Sequence, residues 1–202
     1  MRFEPGYLLG MAMQSIPEPR KIARELFALN LARATLWQIL ILLMVIGAIL
    51  GVGSSVLFPP APELEGTIFA MPLIVAMAEA SIAVITVFLI YWLGRSAGGT
   101  GRFEDGIVTV AWLNFVLLIV QTVVLVLSLF APSLAALLWL FGGFTGFWIL
   151  SHFIAELHGF ASALRVFLTI LLTSFIAVAI LSIILAILGV GAAMTSGELG
   201  NV

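Results

Sequence analysis

Three sets of residues carry the polar chemistry of this chain. The first is Glu79 with Gln121 and Asn114. Glu79 is the one acid deep inside a long apolar run. It stands fourteen residues before Leu93, and Gln121 stands fourteen residues after Ile107. At about 1.5 Å of helical rise per residue the two lie at the same depth. Asn114 is seven residues before Gln121, two turns away on the same face. A lone carboxylate in lipid is costly, so Glu79 must face other helices, find a partner or be protonated. The set reads as a proton or ion site, and the plainer alternative is an interhelical hydrogen bond that only aids packing.

The second set is His152, Glu156 and His158. Residues 152 and 156 share a helical face, but 158 lies about 240° round from 152. The spacing fits no standard zinc pattern, so no metal is expected. These read as interfacial polar groups, with Glu156 pairing Arg165 across a short turn. The third set is the glycine-rich stretch Arg95, Gly98, Gly99, Gly101 and Arg102. A phosphate-cradling loop needs a preceding strand and a following Lys-Ser/Thr, and neither is present. The stretch reads as a flexible turn at a membrane surface, with Arg95 and Arg102 toward anionic lipid. Ser54 and Ser55 lack a nucleophile-elbow pattern and fall on the opposite side of the membrane from both histidines. No enzyme and no cofactor are expected.

The elements that position these residues follow from composition. Of 202 residues, 63% are hydrophobic and 9% charged, whereas soluble domains carry about 25% charge. The apolar residues form runs of membrane-spanning length, about 20 residues each. The expected spans are 36–57, 69–93, 107–130, 134–154 and 166–190. Backbone amides in lipid must bond within their own segment, so all five spans are expected to be helices. The fold class is therefore an all-α polytopic membrane protein. With no cysteines there is no disulfide framework and no thiolate site.

All eight Lys and Arg residues fall on one side of this arrangement: five before span one, two in the second loop and Arg165 before span five. The first loop carries Glu63 and Glu65 and no basic residue. The positive-inside rule puts the N-terminus in the cytoplasm and the C-terminus outside. Three regions result: a cytoplasmic segment over 1–33, a five-span domain over 34–191, and an extracytoplasmic tail over 192–202. Within 1–33, Pro19 suits a first helical turn. Ile22, Leu26 and Leu29 share a face, as in an interfacial amphipathic helix. Residues 1–15 show no period. Gly47 and Gly51, and again Gly142 and Gly146, have the small-xxx-small spacing of close helix contacts. Trp37, Tyr91, Trp92 and Trp112 stand near span ends, while Trp139 and Trp148 are deep enough to pack between helices.

Several short features carry a family resemblance. Gly98-Gly99-Thr100-Gly101-Arg102-Phe103 precedes an aromatic-bearing span, Pro132 ends that span, and a glycine-rich span leads to Glu156-Leu157-His158-Gly159 and Arg165. Over roughly residues 20–190 this resembles the Yip family, the Ypt/Rab-interacting membrane proteins, in its bacterial branch. The resemblance implies a multi-pass protein of a bacterial cytoplasmic membrane. Eukaryotic members of the family serve vesicle traffic and bind Rab-type GTPases. Their Asp-Leu-x-Gly-Pro motif is absent here, and Ala111-Trp112 replaces a Gly-Tyr pair common early in the third span. The expected function is non-enzymatic: membrane organisation or an accessory subunit acting through helix and lipid contacts. The alternative is a small transporter or lipid-handling protein that uses the face around Glu79. Expected partners are membrane lipids and a membrane-protein partner or a second copy of the chain; nucleic acid is not expected. A reporter fused after Val202 is expected to be extracytoplasmic, and cytoplasmic activity there contradicts the five-span, N-inside reading.

Overall fold

The structure, a computed structural model, describes residues 4–59 and 70–187. Glu63, Glu65, the expected start of span two at Phe69, the last residues of span five to Val190, and the tail over 192–202 lie outside the described residues. Among the described residues seven helices follow one another: α1 Pro5–Gln14, α2 Pro19–Phe27, α3 Arg33–Leu57, α4 Pro72–Ser96, α5 Phe103–Ser128, α6 Pro132–His158 and α7 Ala163–Ile187. Among the described residues there is no strand. Helices α3 to α7 are each long and apolar enough to cross a membrane.

Helix boundaries follow local chemistry. Proline opens α1, α2, α4 and α6, where its missing N–H costs nothing. Two ends share one device. Gly98 and Gly159 take left-handed φ values of 87° and 72°. Gly99 N–H bonds Gly94 O at 2.8 Å, and Phe160 N–H bonds Ala155 O at 2.8 Å. Both α4 and α6 thus end in Schellman motifs, in which glycine supplies the backbone turn that other residues resist.

The first of two compact units runs to Ala163. Its centre is the α5–α6 pair, which buries Ile107, Val110 and Val116 of α5 and Ile149, Phe153 and Ile154 of α6, whereas α3 buries Leu36 and Leu40 near its start. Small residues let this pair approach closely. A Cβ on Gly142 would meet Val120 at 2.6 Å, and one on Gly146 would meet Leu117 at 3.4 Å. Gly47 of α3 faces Leu118 of α5 at 3.8 Å, while Gly51 has open space around it. Much of the rest of the spans exposes leucine, isoleucine and phenylalanine, as a lipid-bathed surface does. The second unit holds α7, a continuous apolar helix with Arg165 in its first turn.

The N-terminal segment supplies part of the core. Ile22 and Ala23 are fully buried, and Leu26 nearly so, in one cluster with Trp112 and Val116 of α5 and Ile149 and Phe153 of α6. The amphipathic face of α2 therefore lies on protein. Residues 5–14, which show no helical period, form α1, and its Met11 and Ala12 join the same cluster. Two indoles fix the α1–α2 turn. Trp112 Nε1 donates to the buried Ser15 hydroxyl at 2.9 Å, and Trp148 Nε1 donates to Ile16 O at 3.0 Å. Ile22→Ala should weaken this docking by about 2 kcal/mol or more. The readout is faster tryptic cleavage at Arg20, Lys21 and Arg24 in detergent; an unchanged rate contradicts the packing.

Candidate functional site

Two places collect the polar chemistry: one end of the span bundle and a cavity between four spans. The charged end is built on His158, the last residue of α6, whose side chain is buried. Its Nε2 lies 3.0 Å from Ile90 O, and Gly101 N–H donates to its Nδ1 at 3.3 Å. A carbonyl can only accept and an amide N–H can only donate. The ring is therefore neutral, with the proton on Nε2. Three glycines leave room for it. A Cβ on Gly94 would overlap the imidazole, one on Gly99 would sit 2.5 Å from Nδ1, and one on Gly101 would sit 2.8 Å from it and overlap Leu157. Gly98 is the helix-ending glycine. The glycine-rich stretch is thus a socket for the end of α6, a role that spacing alone did not reveal.

Around this socket run ion pairs between distant segments. Glu156 takes Arg24 at 3.1 Å and Arg20 at 3.8 Å. Arg20 also donates to Phe160 O at 3.0 Å and Ala161 O at 3.1 Å, capping the chain as it leaves α6. Arg33 donates to Glu104 Oε1 through Nε at 3.0 Å and Nη2 at 2.7 Å, and its guanidinium lies 5.2 Å from the Phe103 ring centroid. Arg102 donates to Asn30 Oδ1 at 2.6 Å; Asn30 holds a left-handed φ of 43° at the α2–α3 turn. Single surface ion pairs contribute about 0–1 kcal/mol each. Their collective effect is to set the register of the N-terminal segment against the spans. At the outer surface of α2, Lys21 donates to Glu18 at 2.7 Å, a hydrogen bond that holds its ammonium above the ordinary lysine range.

The histidines and Glu156 do not converge. His152 Nδ1 lies 2.8 Å from Trp148 O, and its ring sits 4.1 Å from that indole. His158 turns toward α4 and Glu156 toward α2. Among the described residues no group of three His, Cys, Asp or Glu side chains is placed to hold a metal.

The second place is a cavity of about 670 Å³ lined by α3, α4, α5 and α6. Glu79, Asn114 and Gln121 all line it, so the structure brings this set onto one space. Glu79 is seven residues from the Pro72 end of α4, and Gln121 is seven residues from the Ser128 end of α5. Both therefore lie about 10 Å in from those ends. Among the described residues no hydrogen bond or ion pair joins Glu79 to Gln121, and Asn114 Nδ2 donates along its own helix to Val110 O at 2.9 Å. Trp139 is 69% exposed and lines the same cavity, so it is not packed between helices as its depth suggested. An ionised acid at the centre of a span costs roughly 3 kcal/mol to insert. Glu79 is exposed and lines this open-sided cavity.

Gly99→Ala is expected to destabilise the protein by about 1–3 kcal/mol through overpacking against the imidazole. Adding His158→Ala should give back part of that loss in a thermal melt. Strictly additive losses contradict direct contact between the two positions.

Comparison with curated proteins and with solved structures returns no match. A family model described as the Yip1 domain matches residues 13–186, from the end of α1 to the end of α7. The matched range takes in both the charged end and the cavity, and the chain belongs to the Yip1 family of membrane proteins.

Proposed function

We propose that the protein is a non-enzymatic organiser of its membrane, or an accessory subunit, which works through helix and lipid contacts from the charged end of the bundle. The observation that carries this reading is the tying of α2 to the spans by Glu156 and the buried Ile22 face. That tie holds a shaped surface with Lys21, Arg24, Arg95 and Arg102 where the spans leave the membrane. Basic groups in that position attract anionic headgroups, and a rigid surface binds a partner without first losing the entropy of an ordering step. We place this end in the cytoplasm of a bacterial cell, because the basic residues gather there.

Ser54 and Ser55 have no histidine beside them in this reading. Ser54 and Ser55 stand at the far end of α3 from Arg33, which joins Glu104 at the charged end. A nucleophile and its base must lie within hydrogen-bond reach. A second reading, ligand handling, is favoured by one observation, the cavity at Glu79.

A crosslinked pull-down from native membranes, read by mass spectrometry, tests the first reading. A reproducible membrane-protein partner, lost when Arg24 and Arg102 are both changed to Glu, is the expected result. Recovery of the chain alone, or only with itself, counts against it and shifts weight to ligand handling.

A further inference from the structure

We infer that the cavity between α3, α4, α5 and α6 is a binding site for a singly charged lipophilic cation, an amine or quaternary ammonium on an apolar or aryl body, with Glu79 as its counter-charge. This deepens the ligand-handling reading and is independent of a partner at the charged end.

Three observations carry it. The first is charge. Glu79 is the one ionisable side chain among the described residues lining the cavity, and no Lys, Arg or His lines it. The site therefore carries a net single negative charge when Glu79 is ionised. In a low-dielectric slab such a charge acts strongly on a cation beside it, because water does not screen the pair. Glu79 makes no hydrogen bond or ion pair with another described residue, so its carboxylate oxygens are available to a guest.

The second is the wall. Trp139, Phe144 and Phe147 of α6 line the same cavity as Glu79 of α4. Aromatic faces attract organic cations through the ring quadrupole, and tryptophan does so most strongly. Remaining wall positions are largely aliphatic, such as Leu43, Ile82 and Leu117. Such a lining disfavours a hydrated inorganic ion, which needs several oxygen ligands in place of its water shell. The Gln121 and Asn114 carbonyl oxygens are the further acceptors, and they suit the N–H groups of a protonated amine.

The third is size. The cavity is open on one side, and its volume of about 670 Å³ falls within the range of sites that hold drug-sized molecules, about 300–1,000 Å³. It is far larger than a proton relay or a single bare cation requires.

The test uses the full chain in detergent or nanodiscs with radiolabelled tetraphenylphosphonium as probe, read by scintillation proximity at pH 8. The expected result is saturable binding of one probe per chain, weakened about tenfold or more by Glu79→Gln through loss of the counter-charge. Trp139→Ala should weaken it several-fold. A second variant leaves the carboxylate in place. Gly143 lines the cavity, and a Cβ there meets nothing within 4 Å, so Gly143→Trp should fill the space and abolish binding while the protein keeps its elution volume. Equal binding by wild type and Glu79→Gln overturns the inference. So does displacement of the probe by millimolar sodium, which would mark an inorganic cation site. Unaltered binding in Gly143→Trp also overturns it, because the probe would then sit elsewhere. A wild-type protein that pulls down its partner yet fails this binding test loses the cavity assignment and keeps the organising one.

Discussion

A single neutral imidazole holds the charged end together. His158 accepts from the second loop through Gly101 and donates to α4 through Ile90 O. It can do so only because Gly94, Gly99 and Gly101 present no side chains to it. At the end of a membrane span an unmatched polar group is expensive, and here the ring leaves neither of its nitrogens without a partner. The adjacent Glu156 depends on this fixing. With the end of α6 set, its carboxylate stands where Arg24 and Arg20 of α2 reach it.

From that point the rest of the charged end follows. Helix α2 is short and would be marginal alone in water. Its stability comes from burying Ile22, Ala23 and Leu26 on α5 and α6, while Arg20 and Arg24 bind groups at the end of α6. The same division applies at the start of α3, where Arg33 holds Glu104 and Phe103 sits among Trp37, Phe88 and Tyr91. Apolar anchors provide affinity and ion pairs provide register, so the N-terminal segment is part of the folded unit.

The five spans were legible because lipid imposes a length and composition that no other environment does. Pro19 opens α2, as its fit to a first helical turn suggested. What the chain does outside the slab was less legible. Residues 5–14 carry no amphipathic period because α1 is apolar on most sides, and one turn of it packs on α2. Spacing pointed Glu156 toward Arg165, nine residues on. Glu156 also forms ion pairs with α2, 132 residues away in the case of Arg24, a proximity that no local pattern encodes. The glycines around residue 100 read as a turn, and Gly98 is one. Gly94, Gly99 and Gly101 are small for a different reason, the imidazole against them, which appears only when α4 and α6 are side by side. Equal depth along two helices was enough to put Glu79 and Gln121 at one level; that a cavity lies between them depends on packing, which sequence does not give.

The protein thus presents two surfaces with different physics: a charged end set by hydrogen bonds and ion pairs, and a cavity with one carboxylate within the membrane. The state of His158 underlies the first. With only two histidines in the chain, 15N solid-state NMR of histidine-labelled protein in bilayers reads that state directly, and His152→Asn assigns the remaining ring. The account predicts a protonated Nε2, an unprotonated Nδ1 and a correlation from the Gly101 amide to Nδ1. An imidazolium, the opposite tautomer, or no correlation with Gly101 would contradict it.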